Sequence, residues 1–137
     1  MTNKKGFTIV ELVIVIAVIA ILAAVLIPTF SSVISKANAS AAQSACKNAL
    51  EIVLAQENPN STAYGKTDYM LVKGEYYCTY VAGGSIDAAT KGTAPTSGYT
   101  KLVLADTEAT AELGKLGVEV YSKATSGTTT TTTTPAG

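Results

Sequence analysis

Residues 12–27 are sixteen consecutive apolar residues, LVIVIAVIAILAAVLI, and the stretch reaches back to Phe7 broken only by Thr8 and Glu11. As a helix these residues from 7 to 27 span roughly 31 Å, enough to cross a bilayer core. From Phe30 the pattern changes. Phe30, Val33, Ile34, Ala37, Ala41, Ala42, Ala45, Cys46, Ala49, Leu50, Val53 and Leu54 follow spacings of three, four and one, the stripe of an amphipathic helix. Ser35, Lys36, Asn38, Gln43, Lys47, Asn48, Glu51 and Gln56 fill its other face. The stripe stops at Glu57-Asn58-Pro59-Asn60, where Asn and Pro end helices readily. The pattern therefore predicts one helix over residues 7–57, roughly 75 Å long, apolar all round at first and amphipathic afterwards. Pro28 lies inside it, removes a ladder donor and predicts a kink or local melting over 24–28; the alternative is that Pro28 ends one helix and a second follows.

Beyond Pro59 the composition shifts to Tyr, Thr and Gly, and all seven Tyr lie there. Residues 69–73 and 76–82 read as strands joined by Gly74-Glu75, and Gly first in a two-residue loop suits a type II′ hairpin. Residues 99–105 read as a third strand, Asp106 as the cap of a short helix through Leu113, and 118–121 as a fourth strand. Residues 83–98 are rich in Gly, Thr, Ser and Pro and read as a surface loop. The fold class expected is α+β, a long helix whose second half packs against a small antiparallel sheet. The segments are 1–6, 7–28, 29–57, a head over 58–123, and a Thr-rich tail over 124–137 with seven Thr in a row, read as disordered. A solvated tail and an O-glycosylated one are the two readings of that segment. Asn60-Ser61-Thr62 and Asn38-Ala39-Ser40 match N-glycosylation sequons.

Composition narrows the chemistry. The 137 residues include ten Lys and ten acidic residues, with no Arg, His or Trp, and the formal net charge is zero. Without His the commonest general base and metal ligand is missing, and without Arg the bidentate phosphate clamp is missing. No cofactor, no metal site and no direct nucleic-acid contact is expected, since the head from Asn58 onward has six Lys against seven acidic residues. Asp106, Glu108 and Glu112 could suggest calcium, yet three carboxylates on a short helix are more often a solvated face. A Ser-Lys nucleophile is conceivable, but no motif brings the two types together. Cys46 belongs to the helix stripe and Cys78 to the second strand, so sheet packing on that stripe brings them within reach of a disulfide; the alternative is two small buried residues.

Lys4 and Lys5 before the apolar run orient it with the N-terminus cytoplasmic. An anchor, a removable signal peptide with Ala37-Asn38-Ala39 as its cleavage triplet, and a helix that later leaves the membrane all begin this way. Glu11 bears on the choice, because a carboxylate in hydrocarbon costs several kcal/mol unless paired, snorkelled or neutralised. The stretch Lys4-Lys5-Gly6-Phe7-Thr8-Ile9-Val10-Glu11-Leu12 strongly resembles the processing signal of type IV prepilins. The resemblance covers about the first 30 residues and implies cleavage between Gly6 and Phe7 by a prepilin peptidase, with N-methylation of Phe7. It makes Glu11 the family's assembly glutamate and Pro28 its helix-kinking proline.

The function this implies is a structural subunit of a type IV pilus. The chain would be single-pass in the cytoplasmic membrane before assembly and part of a self-assembled cell-surface filament afterwards. A pseudopilin of a secretion or DNA-uptake system is the alternative, and a membrane-anchored or secreted binding module a third. No enzymatic activity is expected. The Cys46–Cys78 pairing departs from the C-terminal disulfide loop of many such pilins.

Overall fold

In a computed structural model, residues 5–61 and 64–124 are described. Residues 1–4 of the leader, Thr62 of the first sequon and the Thr-rich tail from 125 lie outside them. The elements are α1 (Ile9–Gln56), β1 (Thr67–Lys73), β2 (Tyr76–Tyr80), β3 (Thr90–Lys91), β4 (Thr100–Lys101), α2 (Thr107–Leu116) and β5 (Glu119–Ala124). The fold is α+β with a long N-terminal helix and a small antiparallel sheet. The chain divides into two compact units, Met1–Asn38 and Ala39–Gly137.

In the first unit α1 is helical through Pro28. A second helix after Pro28 is thereby excluded, and the local melting expected over 24–28 does not occur. Pro28 leaves the carbonyl one turn earlier without its usual amide donor. At the next residue the Thr29 hydroxyl donates to the Val25 carbonyl at 2.9 Å, a back-bond that Ser and Thr make inside helices. Phe30, Val33 and Ile34, on the predicted stripe, are exposed.

The second unit holds the core. Ala42, Ala45, Cys46, Ala49, Leu50 and Val53 are the buried residues of α1. Ala and Cys let a sheet approach closely, while Leu50 and Val53 fill the space beyond. Tyr69, Leu71, Cys78 and Val120 meet them from the sheet, with Leu113 and Val118 closing one end. The cross-strand register places Leu71 opposite Cys78 on one side and Val120 on the other, so these three side chains share the face turned to α1. Met70, one residue out of phase, is fully buried on the other face.

The sheet order is β3-β2-β1-β5-β4, antiparallel throughout. Gly74 has φ 58° and Glu75 is not among the positive-φ residues, the pattern of the expected type II′ hairpin. Several expected boundaries shift. β2 ends at Tyr80 and not at residue 82, because the Ala82 amide donates to the Asp68 side chain (2.9 Å) in place of a strand neighbour. The third expected strand shrinks to Thr100–Lys101: the Leu102 amide still reaches Val120 O at 2.8 Å, but the chain then leaves the ladder. Leu102 and Leu104 pack against the core, and Val103 between them is 80% exposed. The expected loop at 83–98 contains β3 and a bridge between Tyr80 and Ile86. β5 runs to Ala124 and sits beside β1, inside the sheet. Both sheet edges are two-residue strands bearing an exposed Lys, a common defence against edge-to-edge pairing.

The second helix starts as expected and ends later. Asp106 caps α2 by accepting the Glu108 amide at 2.8 Å. Its end is a Schellman turn: Gly117 at φ 62° donates to Gly114 O, and the Val118 amide reaches Leu113 O at 3.3 Å. The Lys73 ammonium, at the end of β1, donates to Leu116 O, placing a cation on the negative end of that helix. At the other end of the core, Glu57 accepts the Tyr69 hydroxyl at 2.5 Å and the Gly65 amide at 3.0 Å, fixing the chain as it leaves α1.

Candidate functional site: the N-terminal end of the long helix

Lys5 to Thr8 carry no regular structure, and the helix begins at Ile9. What stops it there is a capping box. The Thr8 hydroxyl accepts the Glu11 amide at 3.3 Å, while Glu11 Oε2 accepts the Thr8 amide at 2.9 Å and the Thr8 hydroxyl at 3.0 Å. The Leu12 amide reaches Thr8 O at 3.2 Å, the first helical bond. The carboxylate thus satisfies donors that a helix N-terminus leaves orphaned, in a region of positive helix dipole. Both of its bonds fall on Oε2. Among the described residues Oε1 accepts none.

Thr8 is the functional residue that the sequence reading missed. Its signal was present as T-x-x-E ahead of an apolar run, which is itself a helix-start signature. Glu11 is thus a helix cap as well as a charge beside an apolar run.

Upstream, Phe7 is 91% exposed and Gly6 stands in open space. A Cβ added to Gly6 would meet nothing within 4 Å, and its φ is not among the positive ones. Among the described residues nothing requires glycine at that position. Downstream, Ile9, Leu12, Val13, Ile16, Ile19, Leu22 and Leu26 are all exposed. This is the one helix among the described residues that is long and apolar enough to cross a membrane, and none of its most apolar window is buried within the chain. A contiguous apolar surface of that size is an interaction surface, for lipid or for other protein.

Pro28 is inside α1, and Ala37-Asn38-Ala39 also lies within α1 and not in an extended segment. Cys46 and Cys78 are brought together in the core, where both are free thiols, so the expected bridge is not present in the structure. Burial pushes the Cys46 thiol well above the ordinary range, helped by its contact with Cys78, and burial raises Cys78 as well. Of the three carboxylates weighed for calcium, Asp106 caps α2 and Glu112 pairs with Lys115 at 2.5 Å. Among the described residues there is no cluster of three or more His, Cys, Asp or Glu able to hold a metal.

Residues 1–27 match the family described as the prokaryotic N-terminal methylation motif. The chain is type IV pilin-like. It is also 63% identical over 38 residues to the type IV wide pilus major component PilA4 of Thermus thermophilus. That match covers 28% of this chain and 29% of the relative, well under two thirds of either. No solved structure matches the chain. Type IV pilins are a family of structural subunits, not enzymes, and the pilin-like long helix with a small antiparallel sheet agrees with that class.

Proposed function

We propose that this chain is a structural subunit of a type IV pilus, cut between Gly6 and Phe7 by a prepilin peptidase and N-methylated at Phe7. Before assembly it is held in the cytoplasmic membrane by residues 7–27 with its N-terminus inside. Afterwards it is part of a cell-surface filament, packed through α1 with the head outward. The observation that carries this reading is the unburied apolar surface of α1, headed by a carboxylate already held in a capping box.

The chemistry of each position supports it. A peptidase reading a small residue explains a glycine that the fold itself does not need. Cleavage gives Phe7 a free amine, cationic below a pKa of about 8. With Thr8 holding Oε2, Glu11 can present Oε1 to the amine of a neighbouring subunit. Such a pair in a low-dielectric core penalises wrong registers more than it adds stability, because a mismatched neighbour leaves a charge uncompensated. Close helix packing then replaces lipid contact along residues 12–27.

Two variants test the reading together. Glu11→Ala loses both charge and cap, whereas Glu11→Gln keeps a capping acceptor and loses only the charge. Both are expected to insert in the membrane and to give far fewer sheared filaments than the parent. Parental filament yield from Glu11→Gln would show that the charge does not set register and would overturn that part of the proposal.

A further inference from the structure

We infer that Cys46 and Cys78 are the site of an intramolecular disulfide that ties helix α1 to strand β2 in the exported protein. The inference rests on the proposed passage of the head out of the cytoplasm, but not on filament assembly.

The geometry points there from both sides. These are the chain's only two cysteines, 32 positions apart, and both are buried in one cluster, at 0% and 1% exposure. Cys46 Sγ lies 3.7 Å from the carbonyl of Leu71, the residue paired directly with Cys78 across β1 and β2. Cys78 Sγ lies 3.7 Å from the Gln43 side-chain oxygen, one turn before Cys46 on α1. Each sulfur thus reaches a residue close to the other cysteine, Leu71 across the strand pair and Gln43 one turn along the helix.

The oxidant is a protein thiol–disulfide oxidoreductase on the outer side of the membrane. One cysteine thiolate attacks the oxidoreductase disulfide and forms a mixed disulfide, releasing one oxidoreductase sulfur as a thiolate. The second cysteine thiolate then attacks the mixed disulfide, forming the Cys46–Cys78 bond and expelling the other. The substrate thiols give up two protons and two electrons, and the oxidoreductase ends as a dithiol. Timing follows from burial. Once α1 is docked, both sulfurs are closed to solvent and thiolate is scarce, so exchange precedes docking of α1 on the sheet.

The test uses full-length protein extracted from its native cells, denatured in N-ethylmaleimide without reductant, then digested with trypsin. The expected result is an unalkylated protein two hydrogens lighter than its dithiol form, with peptides 37–47 and 74–91 joined until reductant is added. Alkylation of both cysteines would overturn the inference, as would a link between two chains. The N-terminal residue, read on the same sample, separates this from the pilus reading. A chain starting at Phe7 with both cysteines alkylated refutes the disulfide and leaves the pilin; a linked chain not starting at Phe7 does the reverse. A second measurement covers timing: reduced, folded protein is expected to oxidise slowly with oxidised glutathione, and denatured protein returned to folding conditions with it rapidly. Equal rates would overturn the order of events.

Discussion

Thr8 and Glu11 hold the helix start by three hydrogen bonds, and Gly6 stands free of them, so helix capping and the proposed cleavage separate by residue. Replacing Gly6 with a bulky residue such as Val is expected to leave the head's denaturation midpoint unchanged while uncleaved precursor accumulates, read by immunoblot of membrane fractions. A shifted midpoint would mean that Gly6 matters to folding. Thr8→Val removes the hydroxyl from the capping box at similar size and is expected to weaken the first helical turn without removing the charge of Glu11. In the head, Asp106→Ala removes the cap of α2 and is expected to cost about 1 kcal/mol in chemical denaturation. Asp106→Asn, which can still accept from an N-cap position, is expected to recover most of that.

Among the elements, α1 and the β1–β2 hairpin were legible from sequence because each carries a long local signal. The helix shows a 3.6-residue stripe over many turns, and the hairpin has an apolar run and a Tyr-rich run around a Gly-first loop. β3 and β4 were not legible as they stand, since two residues cannot display alternation and their pairing is set by strands elsewhere in the chain. β5 was expected as a short strand, yet it lies beside β1, a placement decided by non-local pairing that period-2 patterning does not encode. The end of α2 was misjudged because Gly117, the αL residue that stops it, was not read as a C-cap. The α1–sheet contact is where stability concentrates. Leu71→Ala would leave a cavity under α1 and is expected to cost 2–5 kcal/mol, at the upper end if the small residues Ala45 and Ala49 cannot close it. Reducing the Cys46–Cys78 link is expected to lower head stability by roughly 3–4 kcal/mol by releasing the loop it closes in the unfolded chain. No change in the denaturant midpoint on reduction would contradict that figure.

At the scale of the whole molecule, the two units meet opposite demands: the first leaves its apolar surface uncovered, and the second buries its own. In the core of the head, three of the described groups hold their protons more tightly when folded. Tyr69 is raised by burial and by its bond to Glu57, and the Cys46 and Cys78 thiols are raised mainly by burial. A group of this kind contributes stability below its unfolded pKa, and that contribution fades as pH rises toward the folded value. The reduced head is therefore expected to lose stability from about pH 8.5, where unfolded thiols ionise, and further above about pH 10, where unfolded Tyr does. In the disulfide form only the second loss remains, a difference that denaturation curves across pH would resolve. The exposed helix is proposed to belong to a processed, self-assembling subunit. The most direct test of this is the N-terminal sequence and intact mass of protein sheared from native cells. A chain beginning at Phe7 and carrying one extra methyl group is expected. A chain beginning at Met1 or at Ser40 would contradict it, the first leaving a plain membrane anchor and the second a discarded signal peptide.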